Sequence, residues 1–390
     1  MLKIYLKALV IDVEGPLDGH PFAPRHRLSI IGCFDGTTFS VFDIEHSGKP
    51  YGEAIKRLQA LVDGTDVIIA FNSKFDLHWL RRYGITFAHK KLWCLQYAEF
   101  CMSGQQWAYP DLHSASINRG GRGKSDYIES TYWNKGSDTV NIPLDELVAY
   151  NKQDCEVEWD LFQAHVAYLK DKPQLKKLIW YGSQDLLVTE EMEWNGIKYD
   201  HEKSQRIGDE LLAEIRAIDH QLAQSVPSVP VLWSSPADIS AVLYGGIIKE
   251  HYKESYEFKY KDGHTAIKTR PAVREYKLPR LVDPLKGSEN KKGYSTDEGT
   301  LKRLRPSGQA KQIISLLLRK RELDKKVGTY YHGFPKLAKE KEWEDGILHG
   351  QLNHCRAASG RLSSNKPNQQ NLEYGVRECI VTRFPLINNG

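Results

Sequence analysis

Two carboxylates stand at the end of an apolar run near the start of the chain. The run Ala8–Val13 predicts a buried β-strand, and residues i and i+2 of a strand point to the same face, so Asp12 and Glu14 project together. Two neighbouring acids on a buried strand need a cation nearby. The alternative, for this pair taken alone, is a strand end with two solvated acids.

Further acids downstream favour the cation site. A second apolar run, Asp66–Ala70, is followed by Asn72 and Asp76. A strand that enters a helix here places Asn72 near the helix start and Asp76 one turn on, at the carboxyl edge of a sheet. A third segment has a helical pattern in which Tyr150 and Asp154 are four residues apart and share a face. Taken alone, Tyr150 is an ordinary buried helix tyrosine.

The order D-x-E, N-x-x-F-D and Y-x-x-x-D resembles the DEDD proofreading exonucleases of the DnaQ-like, ribonuclease-H-like superfamily, in the subclass that uses tyrosine. The other subclass has a histidine five residues before the last aspartate, where this chain has Ala149. The resemblance implies an α/β ribonuclease-H-like exonuclease domain with a mixed sheet flanked by helices. It also implies a catalytic set, which is Asp12, Glu14, Asp76, Tyr150 and Asp154.

The cofactors that this resemblance implies are two divalent ions, Mg²⁺ or Mn²⁺, because hard cations prefer carboxylate oxygens. Two ions roughly 4 Å apart stabilise the attacking and the leaving oxygen of phosphodiester hydrolysis together. By the resemblance, Asp12 bridges the ions, Glu14 and Asp154 complete one of them, and Asp76 holds the other mainly through water. Tyr150 then orients the attacking water.

The elements that must position these residues follow from the order of the patterns. Residues 1–172 show the order strand, strand, strand, helix, strand, helix, which is typical of an α/β domain. The segment Gln105–Asn141 lacks clear periodicity and predicts a long surface excursion. Its Tyr132 and Trp133 could stack single-stranded bases, although packing under their own loop is the commoner role.

Long amphipathic helices follow, at residues 173–344. The spacing predicts helices over Leu178–Trp194, ended at Asn195-Gly196, and over His201 to about Ser225. Four features resemble the thumb of the family A (polymerase I type) DNA polymerases: M-E-x-N-G-I-x-x-D, W-S-S-P-A-D-I-S-A-V-L, Y-S-T-D-E-G-T-L and a helix over Gln309–Tyr331.

Two features of this region leave alternatives open. An insert at residues 245–293, dense in Lys, Tyr and Glu, alternates as a β-hairpin would, and either touches duplex phosphates or a processivity factor or is a plain surface insertion. Ser295 or Thr296 is expected to cap a helix. Five basic residues then put positive charge along the last helix, which is either a DNA-binding stripe or a solvated face: Arg319, Lys320, Arg321, Lys325 and Lys326.

The last stretch, residues 345–390, closely resembles the start of the family A palm. It contains I-L-H-G-Q-L-N and then S-G-R-L-S-S-N-K-P-N-Q-Q-N, with Ser359 in place of the usual threonine. In the family this segment follows the primer–template minor groove, whose acceptors are similar for every base pair. Ile380 stands where an aromatic residue is usual. The DNA-binding residues predicted for the chain are Asn72, Arg361, Ser363, Asn368, Gln370, Asn371 and Arg377.

The family's first palm aspartate, fingers helix and palm H-D-E are not in the sequence, and polymerisation needs two palm carboxylates to hold metal ions. We therefore interpret the chain as the 3′–5′ proofreading exonuclease and DNA-binding portion of a family A DNA polymerase, with palm and fingers on a separate or missing polypeptide. One alternative is a free-standing RNA exonuclease of the ribonuclease D kind. Another is a non-catalytic DNA-binding subunit of a split polymerase.

Length and composition indicate the number of domains and the cellular location to expect. A length of 390 residues predicts two or three domains, and a net charge of +4 means that any basic surface is local. Six scattered cysteines without a C-x-x-C pair predict reduced thiols rather than zinc sites or disulfides. No signal peptide and no apolar run of about 18 residues is found. We therefore expect a cytoplasmic protein, of a bacterial cell or a virus-infected host, with no membrane partner.

Overall fold

The computed structural model describes residues 6–17, 19–291, 293–344 and 346–383. It divides into two compact units, the first Met1–Asp200 with Lys336–Gly390 and the second His201–Pro335. The domain boundaries predicted from the sequence fell instead after residues 172 and 344. Asp345 and residues 384–390 of the predicted palm segment lie outside the described residues.

The first unit is built on a five-stranded mixed sheet with the strand order β3-β2-β1-β4-β5. The central strand β1 is antiparallel to β2 and parallel to β4. This confirms a mixed sheet flanked by helices. The strands are β1 (Ala8–Glu14), β2 (Ile30–Phe34), β3 (Phe39–Asp43), β4 (Val67–Ala70) and β5 (Lys91–Cys94).

Side chains of β1 alternate between two buried layers, because successive residues of a strand point to opposite faces. Leu9 and Ile11 join one apolar cluster with Leu58 and Trp79, whereas Val10 joins another on the opposite face. Asp12 and Glu14 share the parity of Val10 and therefore face the same layer.

Seven helices and one short strand complete this part of the first unit. They are α1 (Gly52–Asp63), α2 (Ser73–Arg82), α3 (Leu95–Met102), α4 (Leu112–Asn118), α5 (Tyr127–Thr131), α6 (Leu144–Tyr168), α7 (Pro173–Asn195) and β6 (Ile197–Lys198). The helix α7 ends where the sequence predicted, since Gly196 follows with a left-handed φ of 61°.

The segment Gln105–Asn141, predicted as a long surface excursion because it lacks clear periodicity, contains short helices that were not predicted. It contains α4, α5 and two 3₁₀ turns, at Trp133–Lys135 and Thr139–Asn141. Asp111 caps α4 by accepting a hydrogen bond of 2.8 Å from the backbone amide of Ser114. These helices have seven and five residues, which is too short for a 3.6-residue period to be visible in sequence.

The second unit combines helices with a long two-stranded hairpin. The helices α8 and α11 pack through an apolar cluster that includes Ile215, Leu222, Ile313 and Leu317. The elements are α8 (His201–Ser225), α9 (Pro236–Tyr244), β7 (Gly246–Lys259), β8 (Thr265–Leu278), β9 (Glu289–Asn290), β10 (Gly293–Tyr294), α10 (Glu298–Arg303), α11 (Gly308–Lys326), a π-helical turn (Val327–Tyr331) and α12 (Gly333–Glu340). From Lys336 onwards, α12 belongs to the first unit.

One predicted cap in this unit is wrong. The residue before α10 is Asp297, whose carboxylate accepts from the amide of Thr300 at 2.8 Å. Ser295 donates to this carboxylate, so it supports the cap rather than forming it. An ionised acid beside the first turn also interacts favourably with the helix dipole.

The hairpin β7–β8 pairs fourteen residues on each strand, from Gly246 opposite Leu278 to Lys259 opposite Thr265. Only its root enters the apolar cluster of the unit, through Ile248, Tyr276 and Leu278. Further out, cations lie over aromatic rings on one face. These pairs are Lys268 over Phe258 at 3.5 Å, Arg270 over Tyr256 at 5.5 Å and Arg274 over Tyr252 at 5.1 Å.

The basic series of α11 is engaged within the second unit. Arg319 forms ion pairs with Glu214 and Glu322, and Lys320 forms one with Asp219. These contacts favour the interpretation as an ion-paired, solvated face over that of a free DNA-binding stripe.

The carboxyl-terminal segment packs within the first unit. Glu193 of α7 accepts hydrogen bonds from Lys74 of α2 and from the backbone amide of Leu352, and Lys74 also donates to the Leu352 carbonyl. The elements here are β11 (Ile347–Leu348), which pairs with β6, β12 (Gln351–Asn353), β13 (Ser363–Asn365) and α13 (Tyr374–Arg377).

All six cysteines are buried free thiols, as the sequence predicted. Within the described ranges, no helix combines the length and the apolar character that crossing a membrane requires.

Candidate active site

Three of the predicted acids meet in one cluster. Asp12 and Glu14 come from β1 and Asp154 comes from α6, and one oxygen of each lies within 4.8 Å of the others. Glu14 and Asp154 are buried, whereas Asp12 is half-buried. The alternative of two solvated acids at a strand end therefore does not describe this pair.

Asp76 lies beside the cluster. It sits in the first turn of α2, which starts at the carboxyl end of β4, the parallel neighbour of β1. Its side chain is buried, and the backbone of Val13 lowers its pKa against the larger, raising effects of burial and of the Asp12 charge. The structure thus brings all four predicted acids to one edge of the sheet, as expected for parallel strands that end together.

The approach of α6 to the sheet depends on Gly32 of β2, which is paired with Asp12. A Cβ atom at this position would lie 1.7 Å from Oδ1 of Asn151, so the glycine makes room for that side chain. The amide Nδ2 of Asn151 donates to Oδ2 of Asp12 at 2.8 Å and more weakly, at 3.4 Å, to Oε1 of Glu14. Asn151 therefore orients the two β1 carboxylates.

Lys124 brings a positive charge to the cluster. Its Nζ lies 2.7 Å from Oδ2 of Asp154 and 4.9 Å from the ring centroid of Tyr150. It belongs to the segment between α4 and α5 that the sequence predicted to be irregular. Its spacing from the other site residues carries no signal by which the sequence could have identified it.

A fifth acid, Glu158, lies one turn beyond Asp154 on α6. It is buried, and its Oε2 has no hydrogen-bond partner among the described residues. Burial raises its pKa, and so do the charges of Asp12, Asp76 and Asp154. Its four-residue offset from Asp154 was a signal available in the sequence, although Glu158 was not among the residues predicted for the site.

The electrostatics of the cluster call for added positive charge. Burial, and after it the charge of Asp154, raise the pKa of Asp12 to about 7 against the opposing effects of Lys124 and Asn151. Burial first, and then the charge of Asp12, also raise the pKa of Glu14 and of Asp76. Acids packed in this way resist being ionised together unless a cation binds.

The donor set fits a divalent ion. Only carboxylate oxygens converge in the cluster, which suits Mg²⁺ or Mn²⁺ rather than a softer metal. Oδ1 of Asp154 and the hydroxyl of Tyr150 are buried, and neither has a partner with hydrogen-bond geometry in the described part of the chain. Unpartnered buried oxygens of this kind are ready for a ligand or a water.

Tyr150 is held in place by an aromatic neighbour. The ring of Trp133 contacts it edge-on, with 5.7 Å between centroids, and the indole Nε1 of Trp133 donates to Oγ1 of Thr139 at 3.1 Å. The hydroxyl of Tyr132 donates to Glu146 at 3.1 Å. Trp133 thus packs on a predicted catalytic residue, and base stacking by the two aromatics stays a prediction.

Comparisons with known proteins agree with the carboxyl-terminal motifs. A sequence model described as DNA polymerase family A matches residues 248–384. The DNA polymerase of Bacillus phage SP01 is 23% identical over 395 residues, which cover 94% of this chain and 41% of the phage protein. This chain is a relative of the family A DNA polymerases.

Other relatives agree. DNA polymerase I of Synechocystis is 25% identical over 239 residues, which cover 61% of this chain and 20% of the Synechocystis protein. The thermostable DNA polymerase I of Thermus filiformis is 38% identical over 91 residues, which cover 23% of this chain and 10% of the Thermus protein. The chain therefore spans less than half the length of these curated relatives.

A solved structure shares the fold. The POL domain of Pol1 from M. smegmatis, in complex with DNA primer-template and dNTP, superposes with a TM-score of 0.66 at 17% identity. The match covers 96% of this chain and 54% of the M. smegmatis chain.

The predicted DNA-binding residues of the chain lie in two places in the first unit. Asn72 is exposed at the start of α2, and Ser363 is half-buried on β13. The side chain of Asn368 accepts from the Gln370 amide at 3.1 Å, and Arg377 donates to the Leu372 carbonyl at 3.0 Å. The exposed members of the carboxyl-terminal group are Arg361, Asn368, Gln370, Asn371 and Arg377.

A cavity of about 350 Å³ lies beside Asn72, the one predicted DNA-binding residue among the described residues that line it. Asn72 and Phe75 line it from the α2 side, and residues 350–355 line it from the carboxyl-terminal segment. Phe75 is 38% exposed, so its ring is available to a ligand. The cavity lies wholly within the first unit.

Proposed function

We propose that the first unit carries a two-metal 3′–5′ exonuclease site and that the chain is the proofreading and DNA-binding portion of a family A DNA polymerase. The observation that carries the proposal is the convergence of Asp12, Glu14 and Asp154 within 4.8 Å, with Asp76 buried beside Asp12. The kinship with DNA polymerases supports DNA as the substrate.

Four acids would hold the metal ions. Asp12 would serve both ions, Glu14 and Asp154 would serve one, and Asp76 would serve the other. Two bound divalent ions stabilise the charge that develops on the attacking and leaving oxygens of a phosphodiester. Asn151 contributes by holding the Asp12 carboxylate through its 2.8 Å hydrogen bond, so that Asp12 need not reorganise when the ions bind.

Tyr150 would position the water that attacks the terminal phosphodiester. Burial raises the pKa of its phenol, so the group stays neutral at physiological pH and acts by hydrogen bonding rather than as a base. No described residue meets hydrogen-bond geometry with its hydroxyl, which lies near Lys124 and Asp154, so the group is available to a water. Trp133 fixes the ring that carries it.

The strand end would enter through the cavity beside α2. Asn72 and Phe75 line this cavity, and Asp76 follows directly in the chain. An exposed aromatic face stacks any base, which suits an enzyme that removes whichever nucleotide is at the end.

The exposed polar residues of the carboxyl-terminal segment would contact duplex DNA. Arg361 suits a backbone phosphate, and the amides of Asn368, Gln370 and Asn371 suit minor-groove acceptors. Nucleotide addition would need palm and fingers segments, whose motifs are not found in these 390 residues.

Two other functions would use the same residues differently. A ribonuclease-D-like enzyme would share the acid cluster but act on RNA, and the match of residues 248–384 to DNA polymerases favours DNA. A non-catalytic DNA-binding subunit would not need four buried acids, Glu14, Asp76, Asp154 and Glu158, beside the half-buried Asp12, because burying acids is costly for folding.

The test is degradation of a 5′-labelled single-stranded DNA with Mg²⁺ or Mn²⁺ and with EDTA. We expect a ladder that shortens from the 3′ end and disappears in EDTA. Asp12→Asn should slow degradation on the order of a thousandfold, because Asp12 would serve both ions. The matched control Asp171→Asn changes an exposed aspartate and should leave the ladder unchanged.

Each other outcome points to one alternative. Metal-dependent degradation of an RNA strand but not of the DNA strand would favour the ribonuclease-D-like enzyme. Binding of DNA without degradation of either strand would favour the non-catalytic subunit. Full activity of Asp12→Asn would contradict the assignment of the acid cluster as the catalytic site.

A further inference from the structure

Lys124 stands where a positive charge is most needed in the metal-free cluster. Its ammonium pairs with Oδ2 of Asp154 at 2.7 Å and lies over the Tyr150 ring. The side chain of Asp154 is 1% exposed, so this ion pair is largely shielded from water. The charge of Lys124 also lowers the pKa of Asp12, Glu14 and Asp76.

The same contact obstructs metal binding. Asp154 has two oxygens, of which Oδ2 is held by Lys124 and Oδ1 has no partner in the described part of the chain. A divalent ion shared by Asp12, Glu14 and Asp154 would lie next to the ammonium, and two cations at such a separation repel strongly when shielded from water. The ion and the ammonium therefore compete for the cluster.

We propose that Lys124 is a built-in counter-ion of the cluster, which a divalent cation must displace from Asp154. This inference rests on the proposed function, because it concerns the same site. The ammonium of Lys124 can move from Asp154 towards solvent, since its side chain is 36% exposed and its four-carbon stem is flexible. Lys124 thereby keeps the metal-free cluster folded and weakens its affinity for the metal.

The first experiment measures Mn²⁺ binding by calorimetry without nucleic acid, so that it does not depend on activity. Lys124→Met keeps a stem of similar length and removes the charge, and we expect it to bind Mn²⁺ on the order of tenfold more tightly than the wild-type chain. Lys124→Arg keeps the charge and should not gain affinity. The control Lys152→Met removes the same charge from an exposed position two residues before Asp154 and should match the wild type.

A second experiment uses the wild-type chain, in case Lys124→Met does not fold. An amine-acylating reagent is applied with and without saturating Mn²⁺, and each lysine is quantified by peptide mass spectrometry. We expect labelling of Lys124 to rise severalfold with Mn²⁺, because displacement from Asp154 exposes its amine, while labelling of Lys152 stays constant.

The outcomes separate this inference from the proposed function. Unchanged or weaker Mn²⁺ binding by folded Lys124→Met would overturn the counter-ion role, and so would labelling of wild-type Lys124 that does not rise with Mn²⁺. If neither the wild-type chain nor any variant bound Mn²⁺, the metal site itself would be wrong.

Discussion

At the scale of single residues, α6 gives three neighbouring polar side chains different tasks. Tyr150 and Asp154 are four residues apart and share a face, so the phenol and the carboxylate reach the same point. Asn151 is rotated by about 100° from Tyr150 and reaches back to Asp12 on β1 instead. Under the proposed function, position along one helix would separate orienting the water, orienting a ligand and binding a metal ion.

The phenol of Tyr150 should affect the rate and not the metal. Tyr150→Phe removes a hydroxyl that has no partner among the described residues but leaves the ring that Trp133 contacts. We expect exonuclease cleavage to slow by about ten- to a hundredfold, which is typical for loss of a positioned hydrogen-bonding group, with Mn²⁺ affinity unchanged. Single-turnover cleavage and calorimetry measure the two quantities.

A control for this prediction is Tyr181→Phe, which alters an exposed tyrosine on α7 and should cleave at the wild-type rate. Wild-type cleavage by Tyr150→Phe would contradict the assignment of the phenol. A loss of Mn²⁺ affinity in this variant would show that Tyr150 acts on the metal site instead.

At the scale of elements, the site depends on how closely α6 approaches the sheet. Gly32 on β2 lies beneath this helix, and a Cβ atom there would meet Oδ1 of Asn151 at 1.7 Å and Sγ of Cys155 at 3.1 Å. Asn151 and Cys155 are both fully buried, so neither can move into solvent. The absence of a side chain at one position of β2 thus sets the separation on which the Asn151–Asp12 hydrogen bond depends.

We expect Gly32→Ala to push α6 away from β1. Overpacking of this kind costs about 1–3 kcal/mol of unfolding free energy, and loss of the Asn151 hydrogen bond should weaken Mn²⁺ binding as well. Urea unfolding and calorimetry test both effects. Gly52→Ala is the matched control, because a Cβ at Gly52 meets nothing within 4 Å, and it should be neutral. A Gly32→Ala chain as stable as the wild type would mean that α6 does not pack as closely as described.

At the scale of the whole molecule, the first unit joins residues far apart in sequence. Lys74, Glu193 and the backbone of Leu352 form one buried polar junction, in which the side chain of Lys74 is 15% exposed and that of Glu193 is 4% exposed. Burial raises the pKa of Glu193, and the charge of Lys74 opposes this. The junction connects the segment after residue 336 to α2 and α7, with which it forms the first unit.

Breaking this junction should destabilise the first unit. Lys74→Met leaves Glu193 buried without its cation, which costs about 3–5 kcal/mol of unfolding free energy in comparable buried pairs. The double variant Lys74→Met with Glu193→Leu should recover part of that loss, because no charge is then left unpaired. Denaturant unfolding of both variants and of Glu193→Leu alone gives the coupling energy. A double variant that loses the sum of the two single losses would contradict a direct interaction.

Much of the candidate site was predictable because it depends on local periodicity. The two-residue period of a strand placed Asp12 beside Glu14, and the four-residue period of a helix placed Tyr150 beside Asp154. The same reasoning predicted α8 as residues His201–Ser225, since an amphipathic pattern of seven turns is hard to mistake. These features require no knowledge of what the chain packs against.

The sequence by itself therefore determined which residue types recur at strand and helix spacing, and its motifs indicated the acid cluster and the kinship with family A DNA polymerases, whereas β5 and the helices α3 to α5 were not predicted. Only the tertiary structure decided that Lys124 and Asn151 complete the cluster, that Asp297 rather than Ser295 caps α10, and that Arg319 and Lys320 of α11 are ion-paired. The physical reason is that these features depend on contacts between chain segments, and local periodicity sets the direction of a side chain but not its distant partner.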